Sequence, residues 1–279
     1  MVLQRTLPHT LRRTPRRTSQ PLGLADIGGE WIMPIGGGCA ILLQLAEPSV
    51  GRGVADHSDF AARPYDRLVN TLTYVTAVAC GDEADIRAVH RSIGRAHALV
   101  RGDETDASPG YSAFDVDLQL WVTATLYWTA SRVHERVFGP LDAASADRFY
   151  REFAAVGTSL QLPRDAWPAD RAAFAAYWGG AVAALRVTEQ ARVVARELLC
   201  ARSAPVWMRV AMPWARLATV ALLPEPVRAG FGLRLSKRNR LRYERMMSLT
   251  AAIYPRLPLR VRHLVRDRLL RRLRATSVS

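Results

Sequence analysis

Residues 115–137 read DVDLQLWVTATLYWTASRVHERV, a long, largely apolar stretch with Asp115 set as an N-cap. As an α-helix it spans about 34 Å, far more than the usual strand of about 5–6 residues. Few other segments alternate with period two, whereas long stretches rich in Ala, Leu and Arg fit period 3.6. The expectation is an all-α chain, a single multi-helix domain.

The helices can be bounded by their punctuation. After Gly36–Gly38, a helix is expected from Cys39 to Leu45, and another in RPYDRLVNTLTYVTAVACG that stops at Gly81. Further helices are expected over 83–100, from Ser145, over 166–179, 188–200 and 207–222, then an Arg-rich one to Tyr254 and a basic one over 258–274. The Gly triplet resembles a phosphate loop but lacks GxxxxGK[ST] or GxGxxG, so it reads as a place where helices approach closely. No repeat or long linker divides the chain. Residues 1–22, rich in Arg, Thr and Pro, are expected to be a disordered basic tail, and 23–279 the helical domain.

The net charge of +14 belongs to the ends. Residues 1–20 carry five Arg and no acid, and residues 232–279 net +12, leaving −3 for 21–231. With no nucleic-acid motif beside it, this charge does not specify nucleic acid; weak peripheral contact of the basic C-terminus with an anionic membrane is the alternative. Cys39, Cys80 and Cys200 are few, scattered and without CxxC, as in free buried thiols rather than a disulfide or zinc framework. No apolar run reaches about 18 residues, and the N-terminus lacks the apolar core of a secretory signal. A cytoplasmic location is the expectation.

Two features suggest chemistry. Arg67, Asn70, Thr71 and Tyr74 follow i, i+3, i+4, i+7 spacing, a polar stripe with one charge opposite an apolar one. Such a stripe is ordinarily a solvated face; between apolar helices it can instead line a cofactor or substrate cavity. Val89, Ile93, His97 and Val100 share another face, so His97 is expected to point inward, bonded to a carbonyl, a side chain or a metal. Gly94, one turn earlier, leaves room for a flat cofactor or a second backbone. The other histidines carry less. His57, Ser58 and Asp59 are adjacent and suit capping rather than a triad, His90 lies two turns before His97, and His134 is expected to be exposed. Trp121, Tyr127 and Trp128 serve either as core or as the wall of a lipophilic site.

Taken in order, GGGCAILLQLAEPSVGRGVADHSDF, RLVNTLTYV, HALVRG, YSAFDVDLQLWVTATL, VFGPL and YPRLP resemble the MpaB-type oxygenase family, which includes the latex-clearing rubber oxygenases. The resemblance covers roughly residues 30–260. It implies a globin-like helical core holding haem b, with His97 as axial iron ligand and Arg67 and Thr71 in the haem pocket beside Asn70. Arg67 would hold a propionate or stabilise charge on oxygen, and Thr71 would donate a hydrogen bond. The implied activity is O2-dependent oxidation of a small, lipophilic substrate with an unknown electron donor. Two departures stand out. Asn70 replaces a Lys that can reach the distal iron position in rubber oxygenases, and Thr123 replaces a His found in many relatives. No match to the rubber oxygenases' catalytic acid is present, so rubber is not the expected substrate. A haem- or lipid-binding protein without turnover is the alternative.

Overall fold

The computed structural model describes residues 20–57, 64–104, 110–201 and 204–277. Its organising element is the 115–137 stretch, a helix over Val116–Phe138 whose N-cap Asp115 accepts from the amides of Asp117 and Leu118. In chain order the helices are α1 (Leu24–Gly28), α2 (Gly37–Leu45), α3 (Pro48–His57), α4 (Pro64–Cys80), α5 (Glu83–His97), α6 (Val116–Phe138) and α7 (Ala143–Thr158). There follow α8 (Arg171–Ala184), α9 (Glu189–Cys200), α10 (Val206–Leu222), α11 (Glu225–Gly230), α12 (Lys237–Ile253), α13 (Leu259–Arg262) and α14 (Leu264–Ser277). The strands are two residues each, β1 (Arg101–Gly102) and β2 (Tyr111–Ser112), paired antiparallel with Gly102 opposite Tyr111.

Three apolar clusters share α6. Tyr127 packs with Phe149, Tyr150, Phe153 and Phe174 between α6, α7 and α8. Trp121 joins α2, α3 and α9, while Val133 and Val137 meet α10 and α12. A helix shared by three clusters is buried along its middle turns, and this one tolerates polar residues there because they bond locally. Thr123 and Thr125 donate to the carbonyls of Gln119 and Val122. His134, expected to be exposed, is buried with its ring stacked on Phe138. The charged residues around it mark a helix end, but α12 and the 254–256 turn cover that end.

Gly36 and Gly38 are indeed close-approach positions. A Cβ on Gly36 would lie 2.5 Å from Thr129 Cγ2 of α6, and one on Gly38 would overlap Thr219 of α10. The sequence reading missed α1, α3 and α11, each short or carrying Gly or Pro. Its single 258–274 helix is broken at His263 into α13 and α14. Of the expected tail, Pro21 and Leu22 are bonded to α7: Arg148 donates to the Pro21 carbonyl at 2.7 Å, and the Leu22 amide to Ser145 Oγ. Residues 1–19 lie outside the described residues. Cys39 alone of the three thiols is buried, its pKa pushed up to about 12 by desolvation; Cys200 is exposed.

The C-terminal arm closes the fold. Glu30, itself buried, accepts from Tyr254 Oη at 2.8 Å and from both Arg262 Nε and Nη2. Farther along, α14 packs against α4 and α5.

Candidate functional site

The candidate residues lie on the helical hairpin α4–α5. Its tight end is a reciprocal cap: Asp82 Oδ1 accepts from the Asp85 amide at 3.0 Å, and Asp85 Oδ2 from the Asp82 amide at 3.1 Å. From this turn the helices run back antiparallel. His97 lies fifteen residues after Asp82 and Arg67 fourteen before Gly81, so both fall at the open end of the hairpin.

His97 is the last residue of α5. Its carbonyl accepts from the Val100 amide at 2.9 Å as the chain turns into β1. Val89 and Ile93 enter the core as the periodicity required, but the half-buried imidazole of His97 stands at its margin. Nδ1 is shielded from solvent, and the ring meets Phe114 edge-on at 6.4 Å between centroids. Beside it Leu99 and Phe114 are exposed. A Cβ on Gly94 would meet only the Gln161 amide, at 4.0 Å, so that turn of α5 is open. Val100, expected on the same helical face, has left the helix and lies against Gly53 of α3.

The polar stripe on α4 divides. Asn70 and Thr71 are exposed, whereas Tyr74 is buried and donates to the Val156 carbonyl of α7. Burial raises the Tyr74 phenol well above its ordinary range. Arg67 lies within α4, but its side chain is outside the described residues, as are Ser58 and Asp59. Thr123 is buried, bonded to its own helix and pressed on α7, where a Cβ added to Gly157 would come within 3.0 Å of its hydroxyl. Among the aromatic candidates, Trp121 and Tyr127 are core; Trp128 stacks on Trp178 and lines a groove of about 640 Å3 with Arg132, Arg136 and Leu222.

The contacts around the β1–β2 ladder that follows His97 were not legible in the sequence. His57 Nε2 bonds the Arg101 carbonyl at 2.8 Å, Tyr111 Oη donates to Asp56 at 2.9 Å, and Phe114 faces the imidazole. The contacts depend on a ladder of two residues per strand, too short to leave a period-two pattern. Among the described residues no three His, Cys, Asp or Glu gather as possible metal ligands.

The structure is an all-α domain in which His97 ends α5 beside the exposed apolar side chains of Leu99 and Phe114. Residues 26–252 match the family model described as "ER-bound oxygenase mpaB/B'/Rubber oxygenase, catalytic domain", and the chain belongs to this family of oxygenase catalytic domains. It is 35% identical over 215 residues to uncharacterized protein Rv2237 of Mycobacterium tuberculosis and, to the same extent, to uncharacterized protein Mb2261 of Mycobacterium bovis. Each match covers 75% of this chain and 84% of the relative. No solved structure matches.

Proposed function

We propose that the chain is a haem b-dependent oxygenase in which His97 would hold the iron and the start of α4 would form part of the haem pocket. The observation that carries this reading is the setting of His97. A half-buried imidazole with one nitrogen shielded, flanked by exposed apolar side chains and by the open turn at Gly94, suits the edge of a flat apolar macrocycle. Bound haem supplies the redox chemistry and the activation of O2.

The chain's own residues then have distinct tasks. His97 fixes the iron, and the rigid hairpin, capped at Asp82 and Asp85, fixes His97. Arg67 would hold a propionate or meet negative charge near the iron, and Thr71 would offer a hydroxyl donor. Asn70 lines the same edge without the charge of an amine. Leu99 and Phe114 would offer apolar surface to a lipophilic substrate.

A second reading, a haem- or lipid-binding protein without turnover, is favoured by Thr123. Its hydroxyl is spent on the Gln119 carbonyl and offers no base. Absorption spectra of the purified chain reconstituted with haem test the lead reading. A Soret band that is lost or shifted in His97→Ala but kept in His90→Ala supports it, and a parent that takes up no haem overturns it. Reductant-dependent O2 consumption then separates enzyme from binder.

A further inference from the structure

Residues 206–279 hold seventeen Lys and Arg against three acids, a net +14 that equals the charge of the entire chain. The same segment exposes the most apolar surface. Of fifteen large apolar side chains exposed among the described residues, ten lie between 206 and 264. Basic and apolar exposure coincide here.

The coincidence is sharpest on α10. Its second half is packed, with Ala218 and Thr219 buried against α2 and the 33–36 turn. The first half projects. Val206, Val210 and Trp214 stand at i, i+4 and i+8 with Trp207 beside them, one face by helical geometry. Val210 is 71% and Trp214 58% exposed. Pro213 lies between the halves and removes the amide that would bond the Arg209 carbonyl. The neighbouring α12 presents Leu241 and Leu249 among exposed Arg238, Arg242 and Arg245.

We infer that this face docks on an anionic lipid bilayer, α10 inserting Val210 and Trp214 at the headgroup level while arginines of α10 and α12 contact lipid phosphates. The chemistry of the face selects that occupant. Trp and Val side chains gain from the acyl boundary, with Trp favoured at the interface itself. Each Arg near an anionic surface adds to the attraction. A second copy docking by the same face would oppose two surfaces of like charge. Nucleic acid would satisfy the arginines and leave the apolar residues in water. Among the described residues no helix is long and apolar enough to cross a membrane, so the contact is with one leaflet.

The test is flotation of the full chain with vesicles of phosphatidylglycerol and phosphatidylcholine against phosphatidylcholine alone, with tryptophan emission recorded in parallel. Binding to the anionic vesicles, with emission shifted to the blue and quenched by brominated acyl chains, is expected. The double variant Val210→Ser, Trp214→Ser should bind at least ten-fold more weakly with an unchanged thermal midpoint, since both side chains face solvent. Absence of binding at low salt overturns the inference. So does binding that the double variant leaves intact, which would be charge alone, for example through the basic residues 1–19. A dimer in solution that the same variant dissociates, or preferential binding of duplex DNA, assigns the face to another partner and also overturns it.

Discussion

Arg274, near the end of α14, reaches Asp85 in the first turn of α5, with Nη2 2.7 Å and Nε 3.0 Å from the carboxylate. The two are 189 residues apart in sequence, and Arg274 lies beyond the stretch that matches the family, which ends at 252. Asp85 is almost wholly buried and also caps the hairpin, so its charge depends on this partner. Removing Arg274 leaves that carboxylate unpaired. Arg274 holds the Asp85 carboxyl below its usual range, so the stabilisation is present above the unfolded carboxylate value and is lost as pH falls through the lowered one. Arg274→Ala should therefore lower the urea midpoint clearly at pH 7 and much less at pH 2–3. Equal losses at both pH values would assign the effect to α14 packing instead.

Acid sensitivity should also come from His134. Burial lowers its pKa to about 4, although Glu30 and Glu135 pull the other way. Between about 6.5 and 4 the unfolded chain takes up a proton that the folded chain refuses, so stability is full above 6.5 and falls as pH drops through that window. The shift corresponds to a loss on the order of 3 kcal/mol. His134→Gln, which cannot titrate, should flatten the dependence of the unfolding free energy over pH 4–6.5. An unchanged slope would place the titration elsewhere.

The Gly38 position tests how tightly α2 and α10 pack. A methyl group there overlaps Thr219, so Gly38→Ala should destabilise by about 1–3 kcal/mol. Thr219→Ala in the same chain removes the obstructing atoms. The double variant should recover much of the loss in denaturant titrations, a non-additivity expected of residues in contact.

How much could be read beforehand follows from the range of each signal. The long helices were legible because a 3.6 period sustained over α6 or α12 leaves few alternatives, and Asp115 marked a start by capping chemistry that is local. The Gly36–Gly38 approach was legible for the same local reason. The exposure of His134 was misjudged because the groups at that end of α6, Glu30 and the Tyr254 turn, come from more than a hundred residues away. The break at His263 and the Glu30–Arg262 pair likewise depend on a contact across 232 positions. At the site, helical spacing placed Arg67, Asn70 and Thr71 on one stripe of α4. What spacing could not convey is how deep each stripe residue sits, which α7 decides by covering Tyr74 and leaving Thr71 in the open.

That division of the stripe gives opposite outcomes for two substitutions one turn apart. Tyr74→Phe strands the buried Val156 carbonyl and should destabilise by about 1–3 kcal/mol, while leaving the absorption of a haem-loaded chain unchanged. Thr71 is exposed, so Thr71→Val should shift stability by no more than about 0.5 kcal/mol. If its hydroxyl meets charge that develops during the reaction, the same change should keep the Soret band and lower reductant-dependent O2 consumption by roughly 10²–10³-fold. Urea titration, absorption and oxygen uptake on the two variants check this together. Full oxygen uptake by Thr71→Val would remove Thr71 from the catalytic set and leave it a residue of the pocket edge.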